Sequence, residues 1–403
     1  MKKVMKSFGI VILVSTLTWS CSKDDGPTPP KNTAPSILAQ EFTVDEDIAD
    51  TEVIGMVKAT DVEKDALTFS IKTNANNLFE ITAAGDLSLA TGKALDFETA
   101  TQHVITIQVS DGDKTATASV TIKVGDVDES LANDPASFVT TWKTESNGEE
   151  IALYGNGSYT YDYTIEWGDG TVEELTSNEG ASHVYATAGT YTIAIKGEFP
   201  YFNTFFDGVD NAKKLMSIEQ WGDIQWKSMQ ATFLHCENMV YNATDIPDLS
   251  NVTNMESMFN GCSSFNGNIA NWDISNVTNM FNMFNGATLF NQPFGEWDTS
   301  KVTNMGNMFA GATSFNQSLG DWDLSSITNL TNMFNNSGMN AINYSSTLKG
   351  WGGQGNVFIP NGIVLGATGI TFCNDADTTY FRNTVLIGQN GWTINDDGPV
   401  ACQ

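Results

Sequence analysis

The sequence predicts a multidomain chain: two β-sandwich (Ig-like) domains followed by an α/β solenoid. Three observations carry that prediction. Residues 35–128 alternate apolar and polar positions, punctuated by Asp-Gly and Gly-Asp pairs, which is the pattern of short half-buried strands joined by turns. Residues 137–199 hold a second strand-rich stretch around Trp167-Gly168-Asp169-Gly170-Thr171. Residues 200–348 repeat themselves at a step of 25 residues, which is the mark of stacked units.

The chain's 403 residues leave room for several domains, and 41% hydrophobic residues with 11% aromatics is the composition of folded material. Acidic residues number 48 against 19 basic, a net charge of −29. Such a surface repels nucleic acid, whose binding depends on Lys and Arg neutralising phosphate, so no nucleic-acid partner is expected. It suits solubility outside the cell and could host calcium, although acidity alone does not show calcium binding and a solvated surface is the plainer reading.

The N-terminus reads as an address. Lys2, Lys3 and Lys6 precede an apolar run from Phe8 to Leu17, too short for a stable membrane span, and the run leads to Cys21. This resembles a bacterial lipoprotein signal: residues 1–20 would be removed and Cys21 lipidated. Thr18 stands where the usual Leu would be. Ser22-Lys23-Asp24-Asp25 resembles the surface-export signal of Bacteroidetes lipoproteins. The resemblance implies a lipid-anchored protein of the outer membrane, exposed on the cell surface. Residues 21–34 then form a Pro-rich linker lifting the first domain off the membrane.

In residues 35–128 the clearest strands are Val104-Ile105-Thr106-Ile107-Gln108-Val109 and Ala118 to Val124. About seven short strands in this length make a sandwich. Phe42-Thr43-Val44-Asp45-Glu46, Ala59-Thr60-Asp61-Val62-Glu63, Leu95-Asp96-Phe97-Glu98, Val109-Ser110-Asp111 and Asp126-Val127-Asp128 follow one another in the order of a cadherin repeat. That resemblance implies calcium held by carboxylates, because a hard cation needs several oxygens. Glu46, Asp96, Glu98 and Asp126 would face the following domain; Asp61, Glu63 and Asp111 would face a preceding one. The linker departs from the family pattern at Glu129-Ser130, so a single ion or none is expected in place of a full cage.

The second stretch, with Trp167-Gly168-Asp169-Gly170-Thr171, His183-Val184-Tyr185 and Gly189-Thr190-Tyr191, resembles a PKD-type β-sandwich. Its motif is structural: Asp and Gly serve a tight turn, and Trp167 and Tyr191 fill a core. Asp169 and His183 lack an accompanying nucleophile signature and do not read as catalytic partners, and the domain is expected to serve as a spacer.

The repeats keep Trp272, Trp297 and Trp322 in step, each followed by Asp273, Asp298 and Asp323. Phe259, Phe284, Phe309 and Phe334 keep the same step, as do Phe265, Phe290 and Phe315. Val277, Met280, Met283, Phe284 and Ala287 have helical spacing, and Asn291 to Asp298 looks extended. Each unit should therefore be one short helix or 3₁₀ turn plus one short strand, closing its core only by stacking. The pattern closely resembles the BspA-like leucine-rich repeats of bacterial surface lipoproteins and the related mycoplasma repeat. The resemblance implies a leucine-rich-repeat-type solenoid that binds a ligand and performs no reaction. The Trp column is either an exposed ladder for stacking sugars or core. The Asp column is the polar surface feature best placed for a ligand. The Asn266, Asn291 and Asn316 column should bond turn backbone.

Residues 349–403 should cap the stack, with Cys373 and Cys402 bridged to pin the tail. Cys236 and Cys262 occupy equivalent places in adjacent units, where a bridge and two buried thiols are both compatible with the spacing. The function expected is a non-enzymatic surface lipoprotein that adheres to a host or neighbouring-cell protein or glycan through its repeats. Its rivals are a glycan-capture lipoprotein serving polysaccharide uptake and a structural spacer.

Overall fold

The computed structural model describes residues 31–205, 208–295, 297–353 and 358–402, which fall into two compact units, residues 1–128 and 129–403. The signal segment 1–20 and Cys21 lie outside the described residues. No helix among the described residues is long and apolar enough to cross a membrane.

The first unit is the expected sandwich. One sheet runs Gln40–Asp45, Thr115–Gly125, Gln102–Ser110, Thr68–Thr73; the other runs Val53–Met56, Asp86–Leu89, Phe79–Ile81. Gln40–Asp45 pairs parallel with Thr115–Gly125, and the long hairpin Gln102–Ser110 to Thr115–Gly125 pairs antiparallel. The alternation seen in the sequence has a direct cause. Ile105, Ile107 and Val109 on one strand and Val120, Ile122 and Val124 on its neighbour point inward against Leu87 and Leu89, and all are buried.

The second unit also begins as a sandwich. A two-stranded sheet, Glu149–Tyr154 with Gly180–Tyr185, shares its core with a six-stranded sheet. The larger sheet orders Val172–Leu175, Asp162–Glu166, Gly189–Glu198, Phe138–Thr144, Leu215–Gln220, Val240–Tyr241. The last two strands come from the region read as repeats. The divisions drawn at 199/200 and 348/349 therefore do not divide the core: one cluster of buried side chains runs from Phe138 to Trp392.

The repeats correct the expected helix-plus-strand unit. From 242 to 339 the described residues form neither helices nor strands, only overlapping turns and single parallel bridges: Asn254 to Asn279 to Asn304 to Asn329, with Gln225 to Asp248 before them and Leu330 to Leu365 after. Their backbone amides alternate between two destinations. Met255, Ser257, Phe259 and Gly261 donate to the carbonyls of Asn279, Phe281, Met283 and Asn285 in the next coil, at 2.7 to 2.9 Å. Between them, Met258, Asn260 and Cys262 donate back three residues within their own coil, at 3.2 Å. The same scheme joins Met280, Asn282, Phe284 and Gly286 to the carbonyls of Asn304, Gly306, Met308 and Ala310. Every backbone donor named is thus satisfied without a helix.

That alternation needs left-handed residues at fixed places. Ser257 and Gly261, Asn282 and Gly286, and Asn307 and Gly311 all have φ between +55° and +76°. Asn and Gly tolerate this conformation best, and one such residue stops an α-helix. Consecutive turns still return a side chain to the same face every three or four residues. The hydrophobic spacing is therefore helical although the backbone is not.

Stacked side chains fill the coils. Phe259, Phe284, Phe309 and Phe334 lie face to face with successive centroids 5.6, 5.7 and 6.1 Å apart. Phe265, Phe290 and Phe315 form a parallel column. The Asn266, Asn291 and Asn316 side chains each accept an amide of the following coil at 2.9 Å.

The C-terminal segment continues the stack. Phe334 and Asn336 donate to the carbonyls of Gly366 and Thr368, and Val364–Ala367 pairs parallel with Thr393–Asp396. The helix Ala341–Gly353 and a π-helix, Tyr380–Gln389, flank these rungs. Arg382 holds the buried Asp396 carboxylate at 2.7 and 2.9 Å and lies over the Phe372 ring. Cys373 and Cys402 are disulfide-bonded with Cα atoms 5.3 Å apart.

Candidate functional site

Three of the four carboxylates expected to hold calcium meet at one end of the first unit. Oxygens of Glu46, Asp96 and Glu98 lie within 4.8 Å of one another. Asp126 is exposed and stands outside this group. Glu46 leaves the end of strand Gln40–Asp45 and is buried; its two oxygens accept the amides of Phe97 at 2.6 Å and Val127 at 2.9 Å. Asp96 accepts the amide and the hydroxyl of Thr99, both at 2.8 Å, and these bonds hold its carboxyl below the usual carboxylate range. Each oxygen so bonded keeps a further lone pair. Three carboxylates converging in this way suit a hard divalent cation, which would draw its remaining oxygens from carbonyls or water.

The opposite set, Asp61, Glu63 and Asp111, is tied into the chain itself, with one Asp61 oxygen left buried and unbonded among the described residues. Asp61 accepts the amides of Glu63 and Asp65, and Glu63 accepts the amide and hydroxyl of Thr33. Asp111 accepts the amides of Asp113 and Lys114 and the Asn32 carboxamide, while the Lys114 ammonium bonds the Asn32 carbonyl.

In the second unit the tight turn forms as its residues require. Gly168 and Gly170 have positive φ, Trp167 donates its amide to the Thr171 carbonyl, and Asp169 accepts the Thr171 amide. His183 lies 2.8 Å from Asp169 and stacks on Trp167. Burial works to raise the Asp169 carboxyl, but its bonds to His183 and Thr171 outweigh that and hold it low. No serine, threonine or cysteine side chain bonds His183 among the described residues, so the pair fastens a turn to the neighbouring strand.

The Trp column is core, not an exposed ladder. Trp272, Trp297 and Trp322 are 3%, 6% and 4% exposed, and the Trp297 indole donates to the Ile269 carbonyl. Trp297 and Trp322 stack on one another and against Phe294, and Trp272 packs against Trp221, Tyr241 and Phe259, which removes all three as a sugar platform. The Asp column does reach the surface. Each of Asp273, Asp298 and Asp323 also caps its own turn, accepting the amides of Ser275, Ser300 and Ser325 at 3.0, 3.0 and 2.7 Å. Cys236 and Cys262 are free, fully buried thiols; burial pushes Cys236 up to about 12 and raises Cys262. Cys262 is spent on the Phe233 carbonyl and Cys236 lies 3.4 Å from the Thr204 hydroxyl.

Sequence reading missed the C-terminal surface. Phe358 and Tyr380 are the exposed large aromatics of the described residues, at 66% and 51%, and both line one groove of about 430 Å³. No periodicity marks them, because they lie outside the repeats.

A family profile described as a cadherin domain matches residues 40–125, and one described as a Mycoplasma protein of unknown function, DUF285, matches residues 227–351. No curated protein matches. Among solved structures, human mucin-like protocadherin EC1-2 is 23% identical over 24% of this chain and 55% of its own, with a TM-score of 0.22. The chain thus spans about half the length of that relative. The third cadherin domain of human protocadherin 7 is 18% identical over 27% of this chain and 98% of its own, at 0.23. Mouse clustered PcdhgC3 EC1-3 is 27% identical over 24% and 34%, at 0.21. The N-terminal unit is a cadherin-like domain, and the repeats match a family defined in mycoplasma.

Proposed function

We propose that this chain is an extracellular adhesion-type lipoprotein that meets its partner through the second unit. The observation that carries the reading is the coil stack. Its core is continuous from Phe138 to Trp392, which gives a stiff, extended surface built from a repeated coil, the form that solenoid binders use. The cadherin-like domain supports an extracellular setting. The signal-like segment ending at Cys21 supports a lipid anchor at the outer membrane. No reaction is assigned: the polar pair best placed for one, Asp169 and His183, fastens a turn.

The second sandwich serves as a PKD-like spacer on this reading. The coils act as a solenoid of the BspA-like kind in role, with turns in place of helices and strands. Calcium binds at Glu46, Asp96 and Glu98 and stiffens the first domain. The partner is a protein or glycan on a host or neighbouring cell.

The test is retention of beads coated with the full chain on intact bacterial and epithelial cells. Saturable retention, competed by free chain, is expected on at least one surface. No retention on any surface, in calcium or in EDTA, would overturn the reading.

A further inference from the structure

We infer that the C-terminal groove is a binding site for a neutral oligosaccharide, with Tyr380 and Phe358 as its stacking faces. The inference deepens the adhesion reading by giving the second unit a ligand class. It also stands without that reading, because a soluble sugar can bind a chain that holds no cell.

Aromatic placement is the first argument. The Trp and Phe columns that keep the repeat step, Trp272, Trp297 and Trp322, Phe259 to Phe334 and Phe265 to Phe315, are buried. Only at this groove do large aromatics face solvent among the described residues, and two do so together. Leaving Phe358 two-thirds exposed forgoes burial of apolar area that folding ordinarily uses. Tyr380 stands at the start of the π-helix and packs edge-on to Phe381, with centroids 5.2 Å apart. Phe381 in turn covers Gly352 and Gly353 at the end of helix Ala341–Gly353, where a Cβ on Gly352 would come within 3.0 Å of it. π-helical geometry is rare, and its usual form, a single-turn bulge, is frequent at functional sites.

Charge is the second argument. The chain carries −29, yet no charged side chain among the described residues lines this groove. The other side chains there include the carboxamides Asn361, Gln389 and Asn390. Gln389 and the Tyr380 hydroxyl make no hydrogen bond among the described residues, so they can both donate and accept. Aromatic faces beside uncharged donors and acceptors complement a pyranose, which offers an apolar C–H face and a rim of hydroxyls.

Rigidity is the third. Asn390 donates its side chain to the Ile359 carbonyl at 2.9 Å and to Asn361 at 3.3 Å, and Trp392 donates its indole to the Pro360 carbonyl at 2.7 Å. The π-helix ends on five-residue bonds, Asn390 to the Val385 carbonyl at 3.0 Å. These bonds fix the base of the groove at residues 359–361 and 390–392, which lowers the ordering cost of binding there.

The experiment titrates the full chain with cellohexaose, maltohexaose, xylohexaose and mannohexaose, with a heparin octasaccharide and a proline-rich peptide as contrasts, by calorimetry. At least one neutral hexasaccharide should bind. Tyr380→Ala and Phe358→Ala should each weaken it roughly tenfold or more, while Tyr380→Phe should retain most of the affinity. Both alanine variants alter exposed side chains, and unchanged circular dichroism and melting would show that they fold. Silence toward all four hexasaccharides, binding indifferent to Tyr380→Ala, or binding of the peptide or heparin alone would overturn the inference. Sugar binding without bead retention would sink the adhesion reading and leave the groove.

Discussion

The cadherin-like sandwich and the coil stack solve one problem in two ways. Both must satisfy every buried amide. In the sandwich, Gln102–Ser110 pairs with Thr115–Gly125 a few residues away, and amides cross between adjacent strands. In the stack, Met255 reaches Asn279 and Met280 reaches Asn304, so alternate amides leave along the stacking direction and the rest close turns. The difference teaches what a sequence period reports. A period of two names the local conformation, because it is the pleat itself. A period of 25 names only the size of the coil.

The largest test of the contrast removes one buried side chain from each unit. Phe284→Ala should cost about 3–5 kcal/mol and Ile107→Ala about 2–5 kcal/mol. Melting followed by hydrogen exchange should show Phe284→Ala lowering protection throughout 129–403, since that core is continuous, and Ile107→Ala lowering it only in the sandwich. Loss confined to the coil containing Phe284 would break the claim of one shared core.

Next in size is the Cys373–Cys402 bridge, which ties the tail across 29 residues. Replacing both cysteines by serine should cost about 2–4 kcal/mol. Denaturant unfolding would detect it in the second unit alone. An unchanged midpoint would mean that the tail adds nothing to the last rungs.

A smaller change probes the turns directly. Asn282 sits at φ +58°, where a β-branched residue is strained. Asn282→Val should destabilise by about 1–3 kcal/mol, while Asn282→Gly should be nearly neutral. A helical unit would give the opposite order, with glycine the worse.

The smallest concerns acid. Asp96 in the sandwich is held low first by the Thr99 amide, and Asp298 in the stack first by the Ser300 hydroxyl. A carboxyl depressed in the folded state stabilises above its unfolded value, near 3.8, and that stability is lost as pH falls through the lower folded value. Asp96→Asn should flatten the acid limb of the first unit's melting curve, and Asp298→Asn that of the second. A limb unchanged in either would show that its turn bond is not felt.

Much of the fold could be read from residues. Alternation at Val104 to Val109 placed a true strand, and the cadherin-like order of Glu46, Asp96 and Glu98 brought together carboxylates that do meet. Asp126, expected beside them, is exposed and lies outside that group. The coil conformation was hidden because Met280, Met283 and Phe284 recur alike in a helix and in chained turns. The clue available was Asn282, Asn307 and Asn332 in step with Gly286 and Gly311, residues that favour left-handed backbone. The Trp column invited a sugar-binding reading that burial removes, and the exposed aromatics lay where no repeat pointed.

The most direct test of the central claim compares bead retention for three full chains: the unaltered protein, Phe284→Ala and Glu46→Gln. If the second unit makes the contact, retention falls with Phe284→Ala and persists with Glu46→Gln and in EDTA. Retention that survives Phe284→Ala but is lost with Glu46→Gln and EDTA would contradict the account and move the contact to the cadherin-like domain.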